Sequence, residues 1–252
     1  MRILITNDDG YQSKGIKVLA EIMKKYGEVT VIAPKTHQSG MSMAVSLGFK
    51  QIAHKNLGDG WHYVDATPAS CVKFGLNTIF LDNFPDVVVS GINHGSNASI
   101  ASLYSGTLGA AAEGAIYGVK SVGLSINTHH PDPDFTQIEP HLRKIIANAM
   151  DQELPQGVYL NVNFPAIPAE EIKGIKIAKQ GNGMWHKEFE QRQDPYGRHY
   201  YWMTGNFKDL EQNPENNGDH NLMDQGYITI VPHKIDTTCY ATMEQLENGW
   251  KL

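Results

Sequence analysis

The first 34 residues constrain the fold more than any other stretch. Ile3-Leu4-Ile5 is a short apolar run rich in β-branched residues, the pattern of a strand buried on both faces. From Gly15 to Tyr26 the apolar residues fall at Ile16, Leu19, Ile22, Met23 and Tyr26. That spacing predicts a helix, with Gly27 as its stop. Glu28 to Pro34 reads as the next strand. Strand, helix and strand in so few residues make a βαβ unit, which demands a parallel sheet and a right-handed crossover. The turn after the first strand is Asn7-Asp8-Asp9-Gly10 rather than a G-x-G-x-x-G loop, which argues against a dinucleotide cofactor.

Two adjacent carboxylates at the end of a buried strand repel each other, and burial disfavours their charge. A bound cation compensates both effects, and ligands of open α/β sheets sit at the carboxyl ends of strands. The alternative is an ordinary Asp-Gly turn with solvated carboxylates. Later segments repeat the strand-then-loop pattern. Lys35–Met43 is a polar loop containing Gln38-Ser39-Gly40, followed by a predicted hairpin around Gly58-Asp59-Gly60. Thr67-Pro68 opens a helix towards Phe80, with Thr as N-cap and Pro in the first turn. Pro85–Ser90 reads as a buried strand, Gly91–Asn97 as a loop of small and amide residues, and Leu108–Tyr117 as an Ala-rich helix. Ser121–Ile126 and Val158–Phe164 read as strands, and Thr136-Gln-Ile-Glu139 as a capping box opening a helix to Met150. Beyond Gly174 strand-like pieces alternate with polar loops, and Asn213–Asp219 is turn-rich. The fold class expected is therefore α/β, a Rossmann-like, mostly parallel sheet flanked by helices with a β-rich C-terminal extension. Residues 1–252 are read as a single domain: a core over about 1–173 to which later strands return, an extension over about 174–235, and a C-terminal segment, 236–252.

Three post-strand loops offer oxygen donors: Asp8 and Asp9, Ser39, and Asn93. Carboxylate, hydroxyl and amide oxygens suit Mg²⁺ or Mn²⁺, with Ca²⁺ as the alternative, rather than zinc. Ser105-Gly106-Thr107 stands at a helix start, where free N–H groups and the helix dipole favour a phosphate. Gly95 and Asn97 can bring a loop amide and a side-chain donor to the same anion. A metal beside a phosphate cradle points to phosphoryl chemistry.

These motifs together resemble the SurE (survival protein E) family of metal-dependent nucleotidases. The resemblance rests on Asn7-Asp-Asp-Gly10, Ala33-Pro34 with Gln38-Ser-Gly40, Ser90-Gly-Ile-Asn93 with Gly95 and Asn97, and Tyr104-Ser-Gly-Thr107, in that order. Asn161-Val-Asn163, Asp194-Pro195, Gly197-Arg198, Tyr200-Tyr-Trp202, Asp219, and Gly226-Tyr227 leading to Asp236 and Thr238 extend it over nearly the whole chain. The resemblance implies a phosphomonoesterase that hydrolyses nucleoside monophosphates, one divalent metal ion per subunit, and a homodimer or homotetramer formed through the C-terminal extension. By motif matching Asp8, Asp9, Ser39 and Asn93 hold the metal, while Asn97, Ser105, Gly106 and Thr107 hold phosphate. His233, after Pro232, departs from the family's apolar residue there and receives no catalytic role. Water attack assisted by Asp8 or Asp9 is the preferred route, and a covalent aspartyl-phosphate is its rival.

Composition narrows the remaining classes. A net charge of −6 with no long basic run advertises no nucleic-acid surface. No apolar run is long enough for a membrane span and no signal-peptide layout is visible. Cys71 and Cys239 lie far apart without metal spacing, read as free thiols of a cytoplasmic protein. Ser39 and Asn93 also have bland readings as turn residues, and Ser105 and Thr107 as helix caps. His129-His130 reads as a solvated loop, and Trp185, Tyr200, Tyr201 and Trp202 as packing residues rather than a base-stacking platform. A receiver-like phosphate and metal module would be shorter and would use a Lys partner. A structural cation site in an oligomer would show no turnover.

Overall fold

The computed structural model describes residues 1–48, 51–211 and 218–250. Most of the turn-rich Asn213–Asp219 stretch therefore lies outside the described residues. In chain order the elements are β1 (Arg2–Thr6), α1 (Lys14–Met23), β2 (Glu28–Pro34), β3 (His54–Gly58), β4 (Trp61–Val64), α2 (Pro68–Asn77) and β5 (Val87–His94). They continue with α3 (Gly106–Ile116), β6 (Lys120–Asn127), α4 (Glu139–Asp151), β7 (Val158–Pro165), β8 (Gly174–Ile177), β9 (Gly183–His186) and β10 (Phe189–Gln193). The last are β11 (His199–Met203), β12 (Asn206–Asp209), α5 (Asp219–Asp224), β13 (Tyr227–Lys234) and α6 (Tyr240–Gly249).

Among the described residues the main sheet has nine strands in the order β3-β4-β2-β1-β5-β6-β7-β13-β8. Pairing is parallel from β4 to β7, antiparallel for β3 on β4 and for β13 on β7, and parallel again for β8 on β13. The fold is thus α/β with a mostly parallel sheet, as the first βαβ unit requires. Strand periodicity divides the core. Ile3, Ile5, Val87 and Val89 face one layer, with α1 and α4 (Ile16, Leu19, Leu142, Ile145). Leu4, Ile32 and Val88 face the other, with α2 (Val72, Leu76) and Ala110 of α3. Each buried Leu or Ile side chain is worth roughly 1.5–3 kcal/mol of transfer free energy. The chain leaves β1 towards β2 on one side and later returns to place β5 on the other. A strand order that reverses in this way opens a crevice at the carboxyl ends.

Three local expectations change. The segment from Gly91 is not wholly loop, because β5 runs on to His94 after a register irregularity between Ser90 and Asn93. The helix expected to reach Tyr26 ends at Met23, with Tyr26 in the following turn. Thr136 does not cap a helix: it begins a 3-10 turn, and its N–H and hydroxyl both donate to Asp134 Oδ1 (2.9 and 2.6 Å). A neighbouring carboxylate outcompetes the reciprocal Thr–Glu bonding, and Glu139 pairs instead with Lys25. Thr67 does cap α2, accepting from the Ser70 N–H. Outside the main sheet, β10 pairs with β11 and β9 with β12 as two small antiparallel sheets. No described helix is long and apolar enough to cross a membrane.

Candidate active site

The carboxyl edge of β1 turns sharply at Asn7–Gly10. Asn7 Nδ2 donates to the Gly10 carbonyl (3.1 Å) and to Ser13 Oγ (2.8 Å), which closes the turn. Gly10 sits at φ +93°, in the left-handed region glycine tolerates best. The turn puts Asp8 inside the protein, 3% exposed, and leaves Asp9 mostly buried beside it. Burial drives the Asp8 carboxyl up to about 6; the Thr107 hydrogen bond opposes this and the Asp9 charge adds to it. Burial also raises Asp9, opposed by His37 and by the backbone and ring of His94. His37 Nδ1 lies 3.4 Å from Asp9 Oδ1.

Three further segments close on Asp8. The Gln38 N–H donates to the Asp8 carbonyl (2.7 Å), which brings exposed Ser39 to the crevice. The Ser42 N–H and hydroxyl tie the far side of that loop to the carbonyls of Tyr104 (3.0 Å) and Leu103 (2.7 Å). The N-terminus of α3 arrives from the other layer. Ser105 is its N-cap, accepting from the Leu108 N–H at 3.1 Å, and the first-turn N–H groups of Gly106 and Thr107 lack intrahelical acceptors. A Cβ on Gly106 would stand 2.9 Å from Asp8 Cβ, so only glycine lets the helix end approach this closely. The Thr107 hydroxyl donates to Asp8 Oδ1 at 2.6 Å.

The loop after β5 is held from β6 and β7. Asn97 donates its backbone N–H to Asn163 Oδ1 (2.8 Å) and its Nδ2 to Ser125 Oγ (2.7 Å). Asn161 Nδ2 donates to the Asn97 carbonyl (2.9 Å), and Asn163 Nδ2 to Asn161 Oδ1 (2.9 Å). Asn93 Nδ2 donates to the Gly95 carbonyl (2.9 Å), which leaves the Asn93 amide oxygen for another partner. Fully buried Asp219 accepts from the Ser99 N–H (3.0 Å) and the Gly181 N–H (2.9 Å), anchoring the turn that leads into Ser105.

The outcome is a cavity of about 240 Å³ walled by Asp8, Ser39, Gly40, Asn93, His94, Asn97, Ala101, Tyr104, Ser105 and Trp185. It unites Asp8, Ser39, Asn93, Asn97 and Ser105 of the sequence-predicted set. Asp9 stands next to Asp8 but off this wall. Gly106 and Thr107 lie behind Asp8, and the Thr107 hydroxyl is committed to that carboxylate, so an anion would meet backbone N–H groups there. His94, Tyr104 and Trp185 were not anticipated on the wall. Trp185 arrives on distant β9 and carries little signal in the sequence, whereas His94 and Tyr104 directly adjoin the predicted Asn93 and Ser105. His233 is not on this wall: its ring stacks on Tyr159 (5.5 Å), its Nε2 lies 3.4 Å from Asn161 Nδ2, and burial lowers its pKa. His130 bonds within its own loop.

The donor set fits a hard divalent cation. One deeply buried carboxylate and its neighbour are both held away from easy ionisation, so added positive charge would relieve them. A free amide oxygen and a hydroxyl complete an oxygen-only set. Among the described residues no group of three or more His, Cys, Asp or Glu offers a metal cluster.

Residues 3–187 match the family model described as Survival protein SurE. The chain belongs to the SurE family. It is 39% identical over 252 residues to the 5′-nucleotidase SurE of Cytophaga hutchinsonii, across 99% of this chain and 96% of that protein. It is 41% identical over 254 residues to the 5′-nucleotidase SurE of Flavobacterium johnsoniae, with the same shares. The crystal structure of a SurE protein from Aquifex aeolicus superposes with a TM-score of 0.86 at 33% identity, covering 98% of this chain and 99% of that one. The SurE resemblance and the expected sheet architecture are therefore both borne out.

Proposed function

We propose that this SurE-family chain is a divalent-metal-dependent 5′-nucleotidase, which hydrolyses nucleoside monophosphates to nucleoside and phosphate. The observation that carries the reading is the convergence of Asp8, Ser39 and Asn93 on one cavity with the N-terminus of α3. The names of its relatives support the same activity.

Asp8, Asp9, Ser39 and Asn93 would hold one Mg²⁺ or Mn²⁺ ion per subunit, with Ca²⁺ as the alternative. When bound, such an ion polarises a phosphoryl oxygen and acidifies a water. The chain's own residues do the rest. Ser105 and Asn97, with the first N–H groups of α3 at Gly106 and Thr107, orient the phosphate and favour its negative charge. Thr107 keeps Asp8 in one rotamer through its hydroxyl. Asp9, less buried than Asp8, takes the proton of the attacking water. The Asn161–Asn163 pair keeps the Asn97 loop in register with the phosphate.

The chain works in the cytoplasm as a homodimer or homotetramer joined through the C-terminal extension. Exposed apolar side chains on the outer hairpin (Phe189, Tyr201, Trp202, Met203) and the absence of buried residues among those described in α6 support association there. The test is phosphate release from a panel of nucleoside 5′- and 3′-monophosphates with Mg²⁺, Mn²⁺ or EDTA. Metal-dependent release from 5′-monophosphates is expected. Folded protein that releases phosphate from none of them would refute the reading.

A further inference from the structure

Trp185 belongs to two cavities. It walls the site above, and with Ala101 it also lines a second cavity of about 240 Å³. Phe207, Asn127, His220 and Asp224 are among the other residues of that second space. Trp185 and Phe207 face each other across the β9–β12 pair, ring centroids 5.8 Å apart and edge to face. Phe207 is braced in turn by His220, again edge to face at 5.3 Å, and His220 Nε2 lies 3.1 Å from Asp209 Oδ1. The aromatic wall is therefore fixed from behind, while Trp185 itself stays 36% exposed. Among the described residues no Lys or Arg lines this cavity; its basic side chains are His129 and His220, and the Asp224 carboxylate also lines it, so it offers no permanent positive charge for a second phosphate. Aromatic faces with a half-buried amide, Asn127, at the edge suit a flat heterocycle with hydrogen-bonding edges. The other aromatic residues of the extension differ. Tyr200, Tyr201 and Trp202 lie on the outer hairpin and line neither cavity.

Resting on the nucleotidase reading, we propose that Trp185 is the platform on which the substrate's nucleobase stacks, the phosphate lying in the first cavity and the base in the second. Trp185 then sets the preference for nucleotides over phosphomonoesters that lack a base. Because stacking is made equally in ground and transition states, its loss acts on KM rather than kcat.

The experiment compares a purine nucleoside 5′-monophosphate with ribose 5-phosphate on the metal-loaded enzyme, for wild type, Trp185→Leu and Trp185→Phe. Leu keeps an apolar side chain without an aromatic face, and Phe restores one. For Trp185→Leu, KM for the nucleotide should rise about tenfold, the scale of one lost base–aromatic stack, with kcat kept and a much smaller rise in KM for ribose 5-phosphate. Trp185→Phe should recover most of the nucleotide KM. Equal losses on both substrates, no change on either, or identical behaviour of Leu and Phe would overturn the platform while leaving the nucleotidase reading intact. Wild type that hydrolyses neither substrate would instead refute the nucleotidase reading, and the platform with it.

Discussion

Asp8→Asn should stabilise the metal-free protein while destroying its activity. The Asp8 carboxyl is raised from an ordinary 3.8 to about 6, first by burial and then by Asp9. At 1.36 kcal/mol per tenfold change in proton affinity, the ionised form costs the folded state about 3 kcal/mol. Asparagine carries no charge, keeps the shape, and still offers an oxygen to the Thr107 hydroxyl. The sign follows from linkage. A group whose folded pKa is raised contributes most to stability below its unfolded value, and that contribution is lost as pH rises through the folded value. Wild type in EDTA should therefore lose stability relative to Asp8→Asn between about pH 4 and pH 6, and keep that deficit at pH 7.5. For a chain of this size, about 3 kcal/mol corresponds to a rise in Tm of roughly 6–12 °C. Thermal unfolding in EDTA at pH 4 and 7.5 reads the gap directly. A variant less stable than wild type at pH 7.5, or a gap that does not close at pH 4, would refute the reasoning.

Other outcomes follow from the same contacts. Thr107→Val removes the one side-chain donor to Asp8 among the described residues; it should cost about 1–3 kcal/mol and move the acid limb of the pH–rate profile upward, since that donor holds the Asp8 pKa down. Gly106→Ala should lower kcat/KM by at least about tenfold, because its Cβ pushes α3 off Asp8; steady-state kinetics and a preserved circular dichroism spectrum check this. Asp219→Ala strands the N–H groups of Ser99 and Gly181 in the interior and should destabilise by about 3 kcal/mol, read by urea unfolding. Acid quench of a single turnover on a nucleotide radiolabelled in its phosphate should trap no phosphorylated protein, as direct water attack requires; label trapped on an Asp carboxylate would establish an aspartyl-phosphate instead.

Much of the fold was legible because its strands are buried on both faces and flanked by punctuating residues. Ile3–Ile5, Val87–Val89 and the Thr67-Pro68 cap each state their conformation locally. The extension of β5 to His94 was not legible, since Gly91-Ile-Asn-His94 reads as loop until β6 provides its partner. The capping box at Thr136 failed for a comparable reason: Asp134 competes for the same donors. At the site, the post-strand rule located Asp8 and Ser39 because parallel strands bring their carboxyl ends to one edge, and Asn93 reaches that edge from the end of β5 itself. It could not apportion roles at α3. That the Thr107 hydroxyl serves Asp8 is a contact between residues 99 positions apart. Nothing in the sequence around Trp185 reveals that β9 brings it to the crevice.

Titration of Mn²⁺ into metal-free wild type and Asp9→Asn, followed by electron paramagnetic resonance, with phosphate release measured on the same samples, addresses the central claim most directly. One tight site per subunit in wild type, with turnover that tracks its occupancy, and loss of both in Asp9→Asn is the expected result. Undiminished turnover in Asp9→Asn, or turnover independent of Mn²⁺ occupancy, would contradict a metal centre at Asp8 and Asp9.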